Sequence, residues 1–221
     1  ITPRERLYEL AGRHFCVSYA EPRDVEVCHW IGQSVMLDNG AFSFWHGGKD
    51  PDWEDFYNWA DQWLDYPTTW AVIPDVIDGT EEMNDLLLVQ WFARRMPPGS
   101  PVWHLNESLE RLRRLAAGYE RICFGSSGQY RNVGDREWDH RVSQAFDVIA
   151  DERGKVPWVH MLRGMSVGCD FPFASVDSTD IARNHNRNNN TPRLMADRWD
   201  GTQPSPRWRS VGTQQVMEAT P

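Results

Sequence analysis

Short apolar runs that end in a polar residue, each followed by a stretch of helical character, recur along the chain. The clearest are Val35-Met36-Leu37-Asp38, Ala71-Val72-Ile73-Pro74-Asp75 and Phe173-Ala174-Ser175-Val176-Asp177. Parallel strands need long crossover connections, usually helical, and this rhythm is their expected trace. In such folds the carboxyl ends of the strands gather on one face, and chemistry sits there. The three strand-ending carboxylates Asp38, Asp75 and Asp177 are therefore expected to share one pocket.

Seven strands are expected, at 14–20, 34–38, 70–75, 102–105, 121–124, 156–162 and 171–177. Helical spacing of Trp53, Phe56, Tyr57, Ala60, Trp63 and Leu64 predicts a helix capped by Asp50, with Pro51 in its first turn. A second runs from about Thr80 to Met96 and is stopped by Pro97-Pro98-Gly99. Its acidic start, Glu81-Glu82, and basic end, Arg94-Arg95, suit the helix dipole. A third carries Leu109, Leu112 and Leu115, with Asn106 or Ser108 as its cap and Gly118 at its close. A fourth carries Trp138, Val142, Phe146 and Ile149 and ends at Gly154.

The expected fold class is α/β, a (β/α)8-like TIM barrel with an incomplete or irregular eighth unit. Beyond Asp177 the alternation fails, and the eighth strand is either missing or lies around Leu194-Met195. A doubly wound open sheet is the alternative, though neither a G-x-G-x-x-G segment nor a P-loop supports it. The expected division is a catalytic barrel at 1–182 and a polar, arginine-rich C-terminal segment at 183–221.

The chain has 221 residues, 40% of them hydrophobic, with four widely spaced cysteines (Cys16, Cys28, Cys123 and Cys169). The absence of any C-x-x-C pair argues against a zinc knuckle or a disulfide framework and for buried thiols. No window reaches the apolar length that spans a bilayer, and no signal peptide is visible, so a cytoplasmic protein without a membrane partner is expected. The net charge is −9, which does not by itself suggest nucleic-acid binding. The charge is uneven, however. Arg183, Arg187, Arg193, Arg198, Arg207 and Arg209 face only Asp197 and Asp200 over the same stretch. Such a strip either holds phosphates or is a solvated tail. The chain also has twelve tryptophans, most of them expected in the core. Trp45 is expected either there or stacked on a base.

Each candidate carboxylate also has a purely structural reading. Asp38, in Asp38-Asn39-Gly40, can bond its own turn; Asp78, close to Asp75, can cap the next helix; Asp177 or Asp180 can cap the one after. One acid at each of three strand ends exceeds what capping needs. Gly125-Ser126-Ser127-Gly128 is either an ordinary βα turn or a source of backbone donors on the same face. His104 and His160 lie on apolar strands, where histidines are usually bonded core residues; His104 gains interest from its strand-end position. Two carboxylates in one pocket suit chemistry at an anomeric carbon, with one attacking C1′ and the other moving the leaving group's proton.

The order of segments Asp38-Asn39-Gly40-Ala41-Phe42-Ser43, Pro74-Asp75-Val76, His104, Gly125-Ser126-Ser127-Gly128, His160-Met161-Leu162-Arg163-Gly164 and Val176-Asp177-Ser178 resembles the tRNA-guanine transglycosylase superfamily. That family has a D-S-G-G-F-Q-like segment, a D-V segment, a glycine-rich loop, an L-x-G-x-G-like strand end and a late nucleophilic aspartate before an asparagine- and arginine-rich stretch. The resemblance spans residues 34–190 and lies in the sequence of motifs, each of them short.

It implies a barrel enzyme that exchanges guanine for a 7-deazaguanine base such as preQ0, with no cofactor and no metal. By the resemblance, Asp177 is the nucleophile and Asp38 the general acid/base, while Asp75 reads the purine edge. His104 stands where the family places a glutamine, and Gly125, Ser126 and Ser127 contact the base. Arg183, Arg187, Arg193 and Arg198 are the expected phosphate contacts. The chain has no C-terminal Cys/His zinc cluster and is short, as in the phage and genomic-island branch (DpdA-like) that modifies DNA. The expected partners are therefore DNA, single-stranded or with the guanine flipped out, and a free deazapurine; a phage-encoded copy would act in the host cytoplasm. The alternatives are a tRNA-guanine transglycosylase, a base-excising glycosidase or nucleoside hydrolase, a non-catalytic nucleic-acid-binding barrel, and a barrel lyase or isomerase acting on a small metabolite.

Overall fold

Val35, Met36 and Leu37 are all buried, as a strand covered on both faces requires. They form the middle of β2 (Ser34–Asp38), which pairs in parallel with β1 (His14–Ser18) on one side and β3 (Thr69–Ala71) on the other. The computed structural model describes residues 1, 3–97, 99–153, 156–187, 189–201 and 208. These form two compact units, one built from Ile1–Ser100 and the segment beginning at Ser178, the other from Pro101–Asp177 and Trp208. Each is a small parallel sheet with helices, a mixed α/β arrangement.

In the first unit the strand order is β1-β2-β3. The pairing continues past β3, where Ile73 donates to the Ser100 carbonyl and Ser100 to that of Ala71, both at 2.9 Å. Helices α1 (Val25–Ile31) and α2 (Ala41–His46) flank β2 in sequence. Then comes α3 (Trp53–Leu64), which buries Phe56, Tyr57, Ala60 and Leu64 at helical spacing. Its cap is Asp52, whose side chain accepts from the Asp55 N–H, and not the expected Asp50. Helix α4 (Glu81–Ala93) is capped by Thr80. It buries Leu87 and Trp91 but exposes Met83, Leu86, Val89 and Phe92.

Residues 178–201 return to this unit as α7 (Asp180–Asn184) and α8 (Pro192–Asp200). The expected strand around Leu194-Met195 is thus a helix. Thr191 caps it and Pro192 occupies its first turn, where a missing N–H costs nothing. Asp197 and Asp200 on α8 both pair with Arg13.

In the second unit β4 (Val102–His104), β5 (Arg121–Gly125), β6 (Trp158–Met161) and β7 (Ser175–Val176) lie side by side in chain order, all parallel. Helices α5 (Leu109–Gly118) and α6 (Arg136–Arg153) belong to it. Ser108 is the α5 cap, accepting from the Arg111 N–H at 3.1 Å. The core is aromatic. Phe124, Phe146, Phe171 and Phe173 meet ring to ring, and Trp208 joins them, held by a 2.9 Å bond from its indole to Asp147. Such ring pairs contribute about 0.5–1.5 kcal/mol each beyond the area they bury.

Arg111, 1% exposed, pairs with buried Glu107 at 2.6 Å and donates to the Val102 carbonyl; Glu107 in turn accepts from the His104 N–H. Breaking such a pair leaves one charge stranded, so the end of β4 is held firmly. Cys28 and Cys123 are buried as expected, while Cys16 is exposed and Cys169 partly so.

Candidate active site

The sequence-predicted residues fall into two groups, one in each unit. In the first, Asp38 closes β2 and Gly40 follows in the left-handed region at φ 77°. A Cβ on Gly40 would meet the Ala20 nitrogen at 3.0 Å, so only glycine fits this turn. The Gly40 N–H donates to Asp38 Oδ2 at 3.2 Å, the self-bonding turn that the Asp-Asn-Gly sequence suggests.

Between them, Asn39 is 1% exposed and ties the end of β2 to the loop after β3, where Asp75 lies four residues past the strand rather than at its expected end. Its Nδ2 donates to the Ile73 carbonyl at 2.8 Å and to Asp75 Oδ1 at 2.7 Å, and its Oδ1 accepts from the Ala41 N–H at 2.8 Å. Asp75 is itself buried, and the loop after it is pinned by Asn84, whose side chain bonds both the N–H and the carbonyl of Val76. Asn39 thus anchors Asp75 to the turn that follows Asp38, a link the sequence reading passed over. Asn39 looked like half of a turn signal, and its second task requires knowing which strand lies beside β2.

Trp45, on α2, is 47% exposed and therefore not a core residue. Its indole N–H donates to Asp78 Oδ2 at 2.7 Å, so Asp78 braces an exposed ring, and Thr80 caps α4 in its place. Phe42, 40% exposed, lies against it with ring centroids 5.8 Å apart. The turn that carries Asp38 is thus followed at once by two open aromatic faces.

In the second unit, His104 ends β4 in register with Gly125 at the end of β5. A Cβ at Gly125 would stand 3.0 Å from His104 Nδ1, so the glycine makes room for the imidazole. Ser126 and Ser127 are buried. Ser126 Oγ accepts from the Trp138 indole at 2.9 Å and its carbonyl from the Arg163 guanidinium at 3.1 Å, while Ser127 donates to Asn106.

Asp177 lies one residue beyond β7, and its N–H still pairs with the Met161 carbonyl. It caps no helix; Thr179 precedes α7. Its Oδ1 accepts from the Arg163 N–H at 2.7 Å, Arg163 itself being left-handed at φ 58°. The same oxygen lies 3.3 Å from His160 Nε2, close but poorly aligned for a hydrogen bond. Nδ1 of His160 is 2.7 Å from Ser175 Oγ. His160, read from the sequence as a core histidine, is indeed buried and bonded, but it also faces the candidate nucleophile. The signal lies in register: His160 pairs with Ser175, and Asp177 is two residues on, on the same face of the strand.

The four candidate phosphate contacts are all exposed and belong to the first unit. Arg183 lies on α7, Arg187 just after it, and Arg193 and Arg198 on α8. Arg207 and Arg209 lie outside the described residues, as do 202–206 and 210–221 of the expected C-terminal segment. Among the described residues no helix is long and apolar enough to cross a membrane. No family model, curated protein or solved structure matches the chain.

Proposed function

We propose that this protein is a base-exchange transglycosylase, replacing guanine in DNA by a free 7-deazaguanine base of the preQ0 type through an Asp177–deoxyribose ester. The observation that carries the proposal is the setting of Asp177. It is a strand-end carboxylate held through Oδ1 by the Arg163 N–H, while no hydrogen bond to Oδ2 is seen among the described residues. A nucleophile for C1′ needs one oxygen fixed and the other open. A (β/α)8-like barrel is part of the same proposal, supported by the all-parallel, chain-order sequence of strands within each sheet.

In the first displacement Asp177 Oδ2 bonds to C1′ as the C1′–N9 bond breaks. The bonding pair leaves with guanine, which takes a proton from Asp38. In the second, the incoming deazapurine gives its proton to Asp38 and attacks C1′, and the ester C1′–O bond breaks. Two inversions give overall retention. Asp75, which accepts from the Asn39 amide, reads the N–H edge of the purine. His104, Gly125 and Ser126 contribute to base recognition, and the braced Trp45 ring offers a face for a neighbouring base. Arg183, Arg187, Arg193 and Arg198 take the phosphates.

The test is incubation with guanine-containing single-stranded DNA and labelled preQ0, with tRNA in parallel. Label in DNA is expected. Label in tRNA alone would reverse the substrate. Guanine released without any acceptor would make the protein a base-excising glycosidase. Neither label nor guanine release would end the proposal.

A further inference from the structure

We infer that His160 is a positioning residue for Asp177 that sets how long the glycosyl ester survives. This rests on the reading of Asp177 as the nucleophile. His160 is 3% exposed on β6, flanked on one side by the Ser175 hydroxyl at 2.7 Å from Nδ1 and on the other by Asp177 Oδ1 at 3.3 Å from Nε2.

The carboxylate decides which ring nitrogen carries the proton, because the Ser175 hydroxyl can either donate to Nδ1 or accept from it. With the hydroxyl donating to Nδ1, the proton resides on Nε2, facing Asp177. The opposite tautomer would aim the Nε2 lone pair at a carboxylate oxygen, and like charge density repels. The Ser175–His160–Asp177 line therefore presents an N–H to Oδ1, alongside the Arg163 N–H at 2.7 Å. Its imperfect alignment is of the kind that tightens when substrate binds.

Oδ1 does not bond to the sugar, but it bears the charge that comes and goes. When Oδ2 bonds to C1′, Oδ1 becomes the carbonyl oxygen of the ester. When the incoming base attacks, the C1′–Oδ2 electron pair returns to the carboxylate, and half of its charge arrives on Oδ1. Two N–H groups waiting there make Asp177 a better leaving group and, by the same token, a weaker nucleophile. Removing one of them shifts the balance the other way. Ester formation persists or quickens and ester breakdown slows, so the covalent intermediate accumulates.

The experiment compares wild type with H160F, which has no donor, H160Q, whose amide N–H can occupy the place of Nε2, and S175A, which removes the hydroxyl that donates to Nδ1. Each is mixed with guanine-containing single-stranded DNA and preQ0. The covalent fraction is read on a denaturing gel and base exchange by label. H160F is expected to raise the steady-state adduct about tenfold or more and to slow exchange about 10–100-fold. H160Q should restore both toward wild type, and S175A should move them in the H160F direction by a smaller factor. If H160F fails to fold, the S175A and H160Q arms carry the test.

Adduct and exchange falling together in H160F and S175A, without rescue in H160Q, would mean a merely structural histidine and overturn the inference. So would variants indistinguishable from wild type. Wild type that exchanges bases without any Asp177 adduct, or does neither, removes the nucleophile reading and this inference with it. Both of those outcomes are visible in the wild-type arm alone.

Discussion

The two acid-bearing regions are built on opposite plans. In the first unit Asp38 and Asp75 sit in a net of amides. A backbone N–H bonds Asp38, the Asn39 side chain bonds Asp75, and the Ile73 carbonyl shares that donor. In the second, Asp177 is gripped at one oxygen by a backbone N–H, with an imidazole beside it that a serine orients. The first plan fixes geometry with groups whose charge never changes. The second places a polarisable donor where, in the proposed reaction, charge leaves and returns. A proton-shuttling and base-reading region suits the first arrangement, and a group that bonds and unbonds suits the second.

The sharpest way to break this comparison is to remove each carboxylate in turn. Asp177→Asn should abolish both base exchange and the covalent adduct, a loss of about 10³-fold or more, since no other group can take up C1′. Label incorporation near the wild-type rate would refute the assignment. Asp38→Asn should slow exchange by about 10²–10⁴-fold, the ordinary contribution of a general acid/base. Leaving-group assistance is the discriminating readout: a substrate base that departs without protonation should recover much of the rate, and no recovery would relocate the proton donor.

Below these in size come changes to the scaffold. Asn39→Leu removes the shared donor and leaves the Ile73 carbonyl and the Asp75 carboxylate buried without it, at a cost of about 1–3 kcal/mol. A lowered Tm reports it, and an unchanged one would show that the amide net does not hold the first region together. Smallest is a contrast between two left-handed turns. Gly40→Ala should destabilise by about 1–2 kcal/mol, because a side chain there is strained and meets the Ala20 nitrogen. Arg163→Gly keeps the backbone at ease and still offers its N–H to Asp177, so its cost should be that of the lost bond to the Ser126 carbonyl, about 0.5–1.5 kcal/mol. An unchanged Tm for Gly40→Ala would overturn the conformational explanation.

Where local chemistry decides the structure, it can be read from the residues alone. β2 is bounded as expected, because a run buried on both faces meets an Asn-Gly turn. Ser108 caps α5 through the kind of side-chain bond its position suggests. The misreadings have equally physical causes. Helix α2 is six residues long and begins inside a turn signal, too short to show a periodicity. The Leu194-Met195 pair resembles a strand only if Thr191-Pro192, a cap followed by a first-turn proline, is overlooked. Asp52 displaces Asp50 because only its carboxylate reaches the third N–H of α3.

For the candidate site, Asp38 and His104 end their strands as read, Asp75 and Asp177 lie beyond theirs, and the partners across strands were not legible. Asn39 and His160 act across strands, and no spacing along one strand reveals what stands beside it. The sharing of one pocket by all three carboxylates is a matter of the same kind. The observed groupings are Asp75 with Asn39, and Asp177 with Arg163 and His160.

The route of the chain has a consequence for the order of folding. Residues 101–177 are spliced as one continuous stretch into a unit that begins at Ile1 and resumes at Ser178. Helix α8, the late part of that resumed segment, packs on the turn at Arg4–Leu10 and supplies both carboxylates that hold Arg13. The packing of Arg4–Leu10 against α8 therefore closes a loop that contains the whole inserted stretch, a long-range contact of the kind that forms late. The first sheet, β1-β2-β3, needs none of the inserted stretch and can form before that loop closes.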